Sequence, residues 1–197
     1  MSIAAIILAA GRSTRMGSNK LMEDLKGKPL LRHVAEAALA SQARPVLVVT
    51  GHEHQRVHAA LGGLDVTFVH NPDYADGLST SLKAGVAALA ANVTGVVVML
   101  GDMPMVTSET IIKVIAALEA SPHRIAAVPV HDGEWGNPVL LSRALFAEVE
   151  HLQGDSGARK LLAARVGDVL EVAVPSDAVL IDMDTPAALA KARMKAD

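Results

Sequence analysis

A chain of 197 residues with a net charge of −3 and no cysteine fits one domain with an unstapled core, and it excludes disulfides, thiolate metal sites and cysteine nucleophiles. Eighteen basic residues against 21 acidic ones lack the cationic excess of a general nucleic-acid binder, although a local pocket can still be basic enough for small anions. Hydrophobic residues make up 51% and aromatics only 2%, so the core is built from Ala, Val, Leu, Ile and Met, which suits helices packed closely on a parallel sheet.

In chain order, residues 3–9 predict a buried strand and not a signal-peptide core. No basic residue precedes the apolar run, and Gly11-Arg12-Ser13-Thr14-Arg15 follows it where a cleavage site would stand. No apolar run approaches the roughly 20 residues that span a bilayer, so a cytoplasmic protein without membrane contact is expected. A glycine loop leads to a helix at residues 29–40, and strands at 45–49 and 66–69 flank a helix at 54–61. The loop at 71–77 enters a helix at 80–90 capped by Ser79. Residues 95–100, almost all valine or other apolar types, predict a fully buried strand.

Thr107 or Ser108 starts a helix that runs to about residue 119. Strands at 125–130 and 138–141, a helix at 142–151 and a helix carrying residues 159–164 follow. A strand at 179–181 closes the set. Thr185-Pro186 opens a last helix, since threonine accepts from first-turn amides and proline is pre-set for the first helical position. The alternation predicts a single α/β domain over residues 1–197: three layers, Rossmann-like, with a mostly parallel central sheet, right-handed connections and ligands beyond the carboxyl ends of the strands.

The residues with chemical promise cluster in those positions. Residues 8–21 read Leu-Ala-Ala-Gly-Arg-Ser-Thr-Arg-Met-Gly-Ser-Asn-Lys-Leu. Small residues let backbone amides approach an anion, and Arg15 and Lys20 supply positive charge. No Gly-Lys-Ser/Thr ends the loop and its glycine spacing is not that of a dinucleotide fingerprint. Asp102, directly after residues 95–100, can hold a hard divalent cation, though a turn aspartate bonding nearby amides explains the position equally well. In Asp182-Met183-Asp184, alternate carboxylates on an extended segment face the same way and can share an ion, or Asp184 can serve the next helix N-terminus. The stretch from Asn71 through Gly77 to Ser79 and Ser81 offers free helix-start amides to an anion or a base edge. The run Gly154-Asp155-Ser156-Gly157-Ala158-Arg159 is a glycine-rich turn before a helix start, which can meet a phosphate or can be a plain loop and cap.

The pattern Leu-Ala-Ala-Gly-x-x-x-Arg-Met-Gly-x-x-Lys resembles the signature loop of the molybdenum cofactor nucleotidyltransferases, and the resemblance spans nearly the whole chain. It implies a nucleotidyltransferase fold in which Leu8, Ala9, Ala10 and Gly11 flank the nucleotide while Arg15 and Lys20 contact its phosphates. It further implies that Asp102 binds Mg2+, with Asp184 or Asp182 giving a second carboxylate, and that Asn71, Gly77, Ser79 and Ser81 approach the base. Ala10, where the guanylyl branch has a second glycine, resembles the cytidylyl branch. Gly136, Asn137, Asp155 and Arg159 resemble that branch's acceptor side, but many relatives have histidine where Asn137 stands.

The implied reaction moves CMP from CTP, or a nucleotide from another NTP, onto molybdenum-molybdopterin. It releases pyrophosphate and forms molybdopterin cytosine dinucleotide, with transient contact to a molybdenum hydroxylase or its chaperone. Three other readings stay open: another NTP transferase of the same family with a different acceptor, a nicotinamide-dependent reductase similar to that of nicotine-blue breakdown, and a noncatalytic module that delivers the cofactor. His54 and His58 read as a solvated helix face, Trp135 as packing, and the absence of a Gly-x-Ser-x-Gly elbow argues against a hydrolase triad.

Overall fold

A computed structural model describes residues 2–12 and 19–195. Strand β1 (Ile3–Ala9) is buried along its whole length, and the alternation of side chains along a strand divides it between two cores. Ile3, Ala5, Ile7 and Ala9 enter one apolar cluster, whereas Ala4, Ile6 and Leu8 enter the other. A hairpin of β2 (Asp24–Leu25) and β3 (Lys28–Pro29) comes next, turned by Lys26 and Gly27 at positive φ. Then follow α1 (Leu30–Ala40), β4 (Val46–Thr50), α2 (His54–Ala60), β5 (Thr67–His70), α3 (Leu78–Ala87), β6 (Gly95–Leu100) and α4 (Ser108–Glu119). The rest comprises β7 (Ala126–His131), β8 (Glu134–Trp135), β9 (Val139–Ser142), α5 (Phe146–Val149), α6 (Ala158–Ala163), β10 (Val169–Ala173) and α7 (Pro186–Lys195).

The sheet runs β10-β7-β9-β6-β1-β4-β5, with β8 paired to β7. β1 lies between β4 and β6 and is parallel to both. β5 continues parallel beyond β4, and β10 is parallel to β7. Only β8 and β9 run against the rest, β9 separating β6 from β7. The sheet is therefore mostly parallel with helices on both faces, the α/β arrangement predicted. Helices α1, α2 and α4 cover the first cluster, and α3, α5 and α6 the second.

The expectation of uniformly right-handed connections is not met. The crossovers β1–α1–β4 and β6–α4–β7 travel in opposite directions along the sheet over the same face, so their hands are opposite. Helix α4 buries Ile111, Val114, Ile115 and Leu118, a one-sided stripe that joins Leu31, Val34 and Ala35 of α1 in the first cluster. Burial of that stripe outweighs the preference in hand.

Other elements also differ from the sequence expectation. Residues 177–180 form a 3-10 turn in place of a closing strand, and the last strand is β10, whose Val169 and Val172 are buried while Glu171 and Ala173 are exposed. The helix expected over 142–151 is a 3-10 turn at Arg143–Leu145 leading into the short α5. Helix α7 starts where predicted: Thr185 Oγ1 accepts the Ala188 N–H at 3.1 Å. Leu189 and Ala192 of α7 pack with Leu25, Leu30 and Met183 in a third cluster, and Arg193 donates to the Asp24 carbonyl. Among the described residues no helix is long and apolar enough to cross a membrane.

Candidate active site

A cleft of about 750 Å³ opens beyond the carboxyl ends of β1 and β6. Leu8, Ala10 and Gly11 line it from one strand end, Leu100 and Asp102 from the other. The two ends are locked together, since the Gly101 N–H donates to the Leu8 carbonyl at 3.0 Å. The Met183 N–H in turn donates to the Asp102 carbonyl at 3.0 Å, bringing a segment from far along the chain to the same place. Met183 is fully buried in the third cluster, so its neighbours Asp182 and Asp184 are presented on the opposite side, and both line the cleft.

Lys20 enters from a 3-10 turn (Lys20–Met22) whose first amides are capped by Asn19, the side chain accepting from the Leu21 N–H at 3.2 Å. Its Nζ donates to Asp102 Oδ2 at 2.5 Å and to Asp184 Oδ1. The Lys20 and Asp102 side chains are only 17% and 16% exposed, which makes the pair stronger than a surface ion pair. Burial works against the Lys20 charge, but Asp102 and then Asp184 outweigh it and hold the ammonium above its ordinary pKa. Partial burial, followed by the like charges of Asp184 and Asp102, pushes the Asp182 carboxyl above the usual carboxylate range, and Lys20 only partly offsets this.

One ammonium reaches oxygens of both Asp102 and Asp184, so a single divalent cation can do the same. Among the described residues no group of three His, Cys, Asp or Glu side chains forms a closed metal cage. Two carboxylates on an open cleft, with hard oxygen donors and room for phosphate oxygens and water, are nevertheless what magnesium requires. The residues fit the ion.

The facing wall is built from backbone. Helix α3 begins at Leu78 after Gly77, which has φ 110°, and not at residue 80 after a Ser79 cap. A Cβ on Gly77 would stand 2.3 Å from the Gly154 carbonyl carbon, so only glycine permits this approach. The Ser79 N–H donates to the Gly154 carbonyl at 3.0 Å, and the Leu78 N–H to Asp155 Oδ1 at 3.4 Å. These helix-start amides are thus occupied by the 154–155 turn, which corrects the expectation that they are free for an anion or a base edge.

Asn71 is buried as well. Its Nδ2 donates to Thr80 Oγ1 at 2.9 Å and to Ser81 Oγ at 3.0 Å, and its Oδ1 accepts the Asp73 N–H. Asn71 and Ser79 therefore shape the wall from behind, whereas Gly77, Ser81 and Asp155 line the cleft itself.

Several expected residues stand apart from that lining. Ala9 points into the first core cluster. Gly136 is buried where a Cβ would meet the Val179 carbonyl oxygen at 2.6 Å, and the Asn137 N–H donates to that same oxygen; their positions are explained by this packing. Arg159 is exposed on α6. Arg15 lies outside the described residues. Trp135 donates its Nε1 hydrogen to Glu171 on β10, and His54 and His58 are exposed, with the His58 ring stacked on Phe68.

Sequence reasoning passed over Arg12 and Tyr74, which both line the cleft. The signal available was that Tyr74 is the only tyrosine in the chain.

The family model of the MobA-like NTP transferase domain matches residues 5–169. The molybdenum cofactor cytidylyltransferase of Escherichia coli (strain K12) is 31% identical over 186 residues, covering 94% of this chain and 92% of its own. Rv0371c from Mycobacterium tuberculosis H37Rv superposes with a TM-score of 0.84 at 28% identity over 98% of each chain, and it has also been solved in complex with manganese. A nucleotidyl transferase from Methanothermobacter thermautotroptrophicus superposes with a TM-score of 0.85 at 25% identity, over 99% of this chain and 97% of its own.

Proposed function

Because the chain belongs to the MobA-like NTP transferase domain family, we propose that it transfers CMP from CTP to molybdenum-bound molybdopterin, forming molybdopterin cytosine dinucleotide and releasing pyrophosphate. The observation that carries this reading is Lys20 bridging Asp102 and Asp184 beside the small-residue turn at Ala10 and Gly11. A place for a cation and a place for a polyphosphate adjoin. The Escherichia coli relative supports cytidine as the base and molybdopterin as the acceptor.

In the proposed reaction a terminal phosphate oxygen of the acceptor attacks the α-phosphorus of CTP in line. A new P–O–P bond forms as the bond to the β-phosphate oxygen breaks, and that electron pair leaves with pyrophosphate. Asp102 and Asp184 would hold magnesium, with Asp182 as an outer carboxylate; the bound ion supplies neutralisation of phosphate oxygen charge. The manganese complex of Rv0371c supports use of a divalent cation. Lys20 turns its ammonium from the two carboxylates to the phosphates, and Arg15 serves the same leaving group. Leu8, Ala10 and Gly11 let the backbone approach the nucleotide, and Gly77, Ser81 and Asp155 bound the space left for base and acceptor.

The test incubates purified protein with magnesium, each of the four triphosphates and molybdopterin, scoring pyrophosphate. Release with CTP, dependent on molybdopterin, is expected. Release with GTP alone would overturn the cytidine assignment, and release independent of molybdopterin would overturn the acceptor.

A further inference from the structure

The chain contains one tyrosine, and it stands on the wall of the cleft. The Tyr74 ring is seated from behind: a Cβ on Gly51 would lie 2.6 Å from its Cβ and Cγ, so the side chain fills the space that glycine leaves. Over the ring, the Arg12 guanidinium carbon is 5.4 Å from the centroid, within the range of a cation–π contact. The neighbouring His52 N–H donates to the Ala10 carbonyl at 3.1 Å, tying the loop after β4 to the loop after β1. Loops from three adjacent strands thus converge on one arginine.

Arg12 and Lys20 are the two cations on the described lining, which also carries Asp102, Asp155, Asp182 and Asp184. Lys20 faces two of those carboxylates, whereas Arg12 makes no ion pair among the described residues. It is held over the Tyr74 ring, a contact that takes up none of its N–H donors, so they stay available for acceptors. A ring that holds an arginine in place also removes much of the rotamer entropy that binding would otherwise cost.

We infer that Arg12 binds a phosphate group of the substrates, and that Tyr74, backed by Gly51, is a positioning residue acting through it. The inference takes its substrates from the transferase reading, but the seat itself is testable with pyrophosphate alone.

Steady-state turnover with magnesium, CTP and molybdopterin, together with calorimetric titration by pyrophosphate, compares the wild type with four single variants and one double variant. Arg12→Ala raises the KM of CTP if the phosphate belongs to the donor, or that of molybdopterin if it belongs to the acceptor. The rise is about ten- to hundredfold, the worth of one charge-assisted bond, while kcat stays within about threefold. Tyr74→Leu shows the same split in weaker form, and Tyr74→Phe, which keeps the ring, stays near the wild type. Gly51→Ala reproduces Tyr74→Leu and adds nothing when combined with it; should Gly51→Ala fail to fold, the two tyrosine variants decide.

A purely structural role for the ring would lower the melting temperature and leave both KM values unmoved. Unchanged KM values and unchanged pyrophosphate affinity in folded Arg12→Ala overturn the inference and leave the transferase reading intact. A wild type that releases no pyrophosphate from any triphosphate overturns that reading instead, and the pyrophosphate titration still decides on Arg12.

Discussion

On one side of the cleft the contacts are between charged side chains: Lys20 with Asp102 and Asp184, and Asp182 beside them. On the other side the tightest approaches are between backbone atoms: Gly77 against Gly154, and the Ser79 N–H on the Gly154 carbonyl. Side-chain ion pairs can change partners when an ion or a phosphate arrives, because a competing charge replaces the one lost. Backbone contacts made through glycine cannot be exchanged without unfolding the helix start. One wall is therefore suited to chemistry, and the other to holding a fixed shape against which ligands are selected.

Asp102→Asn strikes the exchangeable wall hardest. It should lower pyrophosphate release by about 10²–10⁴-fold while the thermal unfolding midpoint stays within a few degrees; near-normal turnover would remove Asp102 from the chemistry. Lys20→Gln should reduce release by about 10–100-fold and, in the same protein without nucleotide, tighten Mn2+ binding by about tenfold, because an internal cation no longer competes for the carboxylates. Weaker or equal Mn2+ binding, read by paramagnetic resonance, would break the idea that this wall trades partners.

Gly77→Ala tests the fixed wall. A Cβ at φ 110° and 2.3 Å from the Gly154 carbonyl carbon should cost about 2–4 kcal/mol, lowering the unfolding midpoint by roughly 5–10 °C. An unshifted midpoint would mean that this wall gives way after all.

The smallest effect belongs to Asp182→Asn. The folded state raises the Asp182 pKa, so the group favours folding at pH values below its unfolded pKa, and that advantage is lost as pH rises through the folded value. At neutral pH its charge opposes folding. Removing the charge should raise the midpoint by about 1–2 °C at pH 7, a modest gain because the side chain is solvent-screened. The gain should disappear below about pH 4, where the carboxyl is protonated in either state; a gain that persisted there would have another origin.

The difference between the walls also explains what could be read in advance. β1 and β6 were legible because their apolar runs are continuous, and the start of α7 because Thr185-Pro186 carries its own capping chemistry. Asp102 was legible as a carboxylate at a strand end, and Asp182 and Asp184 as alternate carboxylates on an extended segment. Their meeting was not, because it depends on the Met183 N–H finding the Asp102 carbonyl, a contact without local signature.

Ser79 reads as a cap in the sequence because the partner of its N–H, Gly154, lies far along the chain. β10 lacks a signal because a half-buried edge strand shows a weaker pattern than the apolar residues 179–181, the first two of which instead end a 3-10 turn. Arg12 was passed over because its significance lies in the Tyr74 ring, supplied by another loop.

Lys20 meets Asp102 across 82 positions and Asp184 across 164. Such long-range closures come late when a chain folds, since loop entropy must be overcome before they contribute. Recovery of turnover after dilution from denaturant should accordingly trail the return of helical circular dichroism, the interval measuring how long the ends of the chain take to find each other.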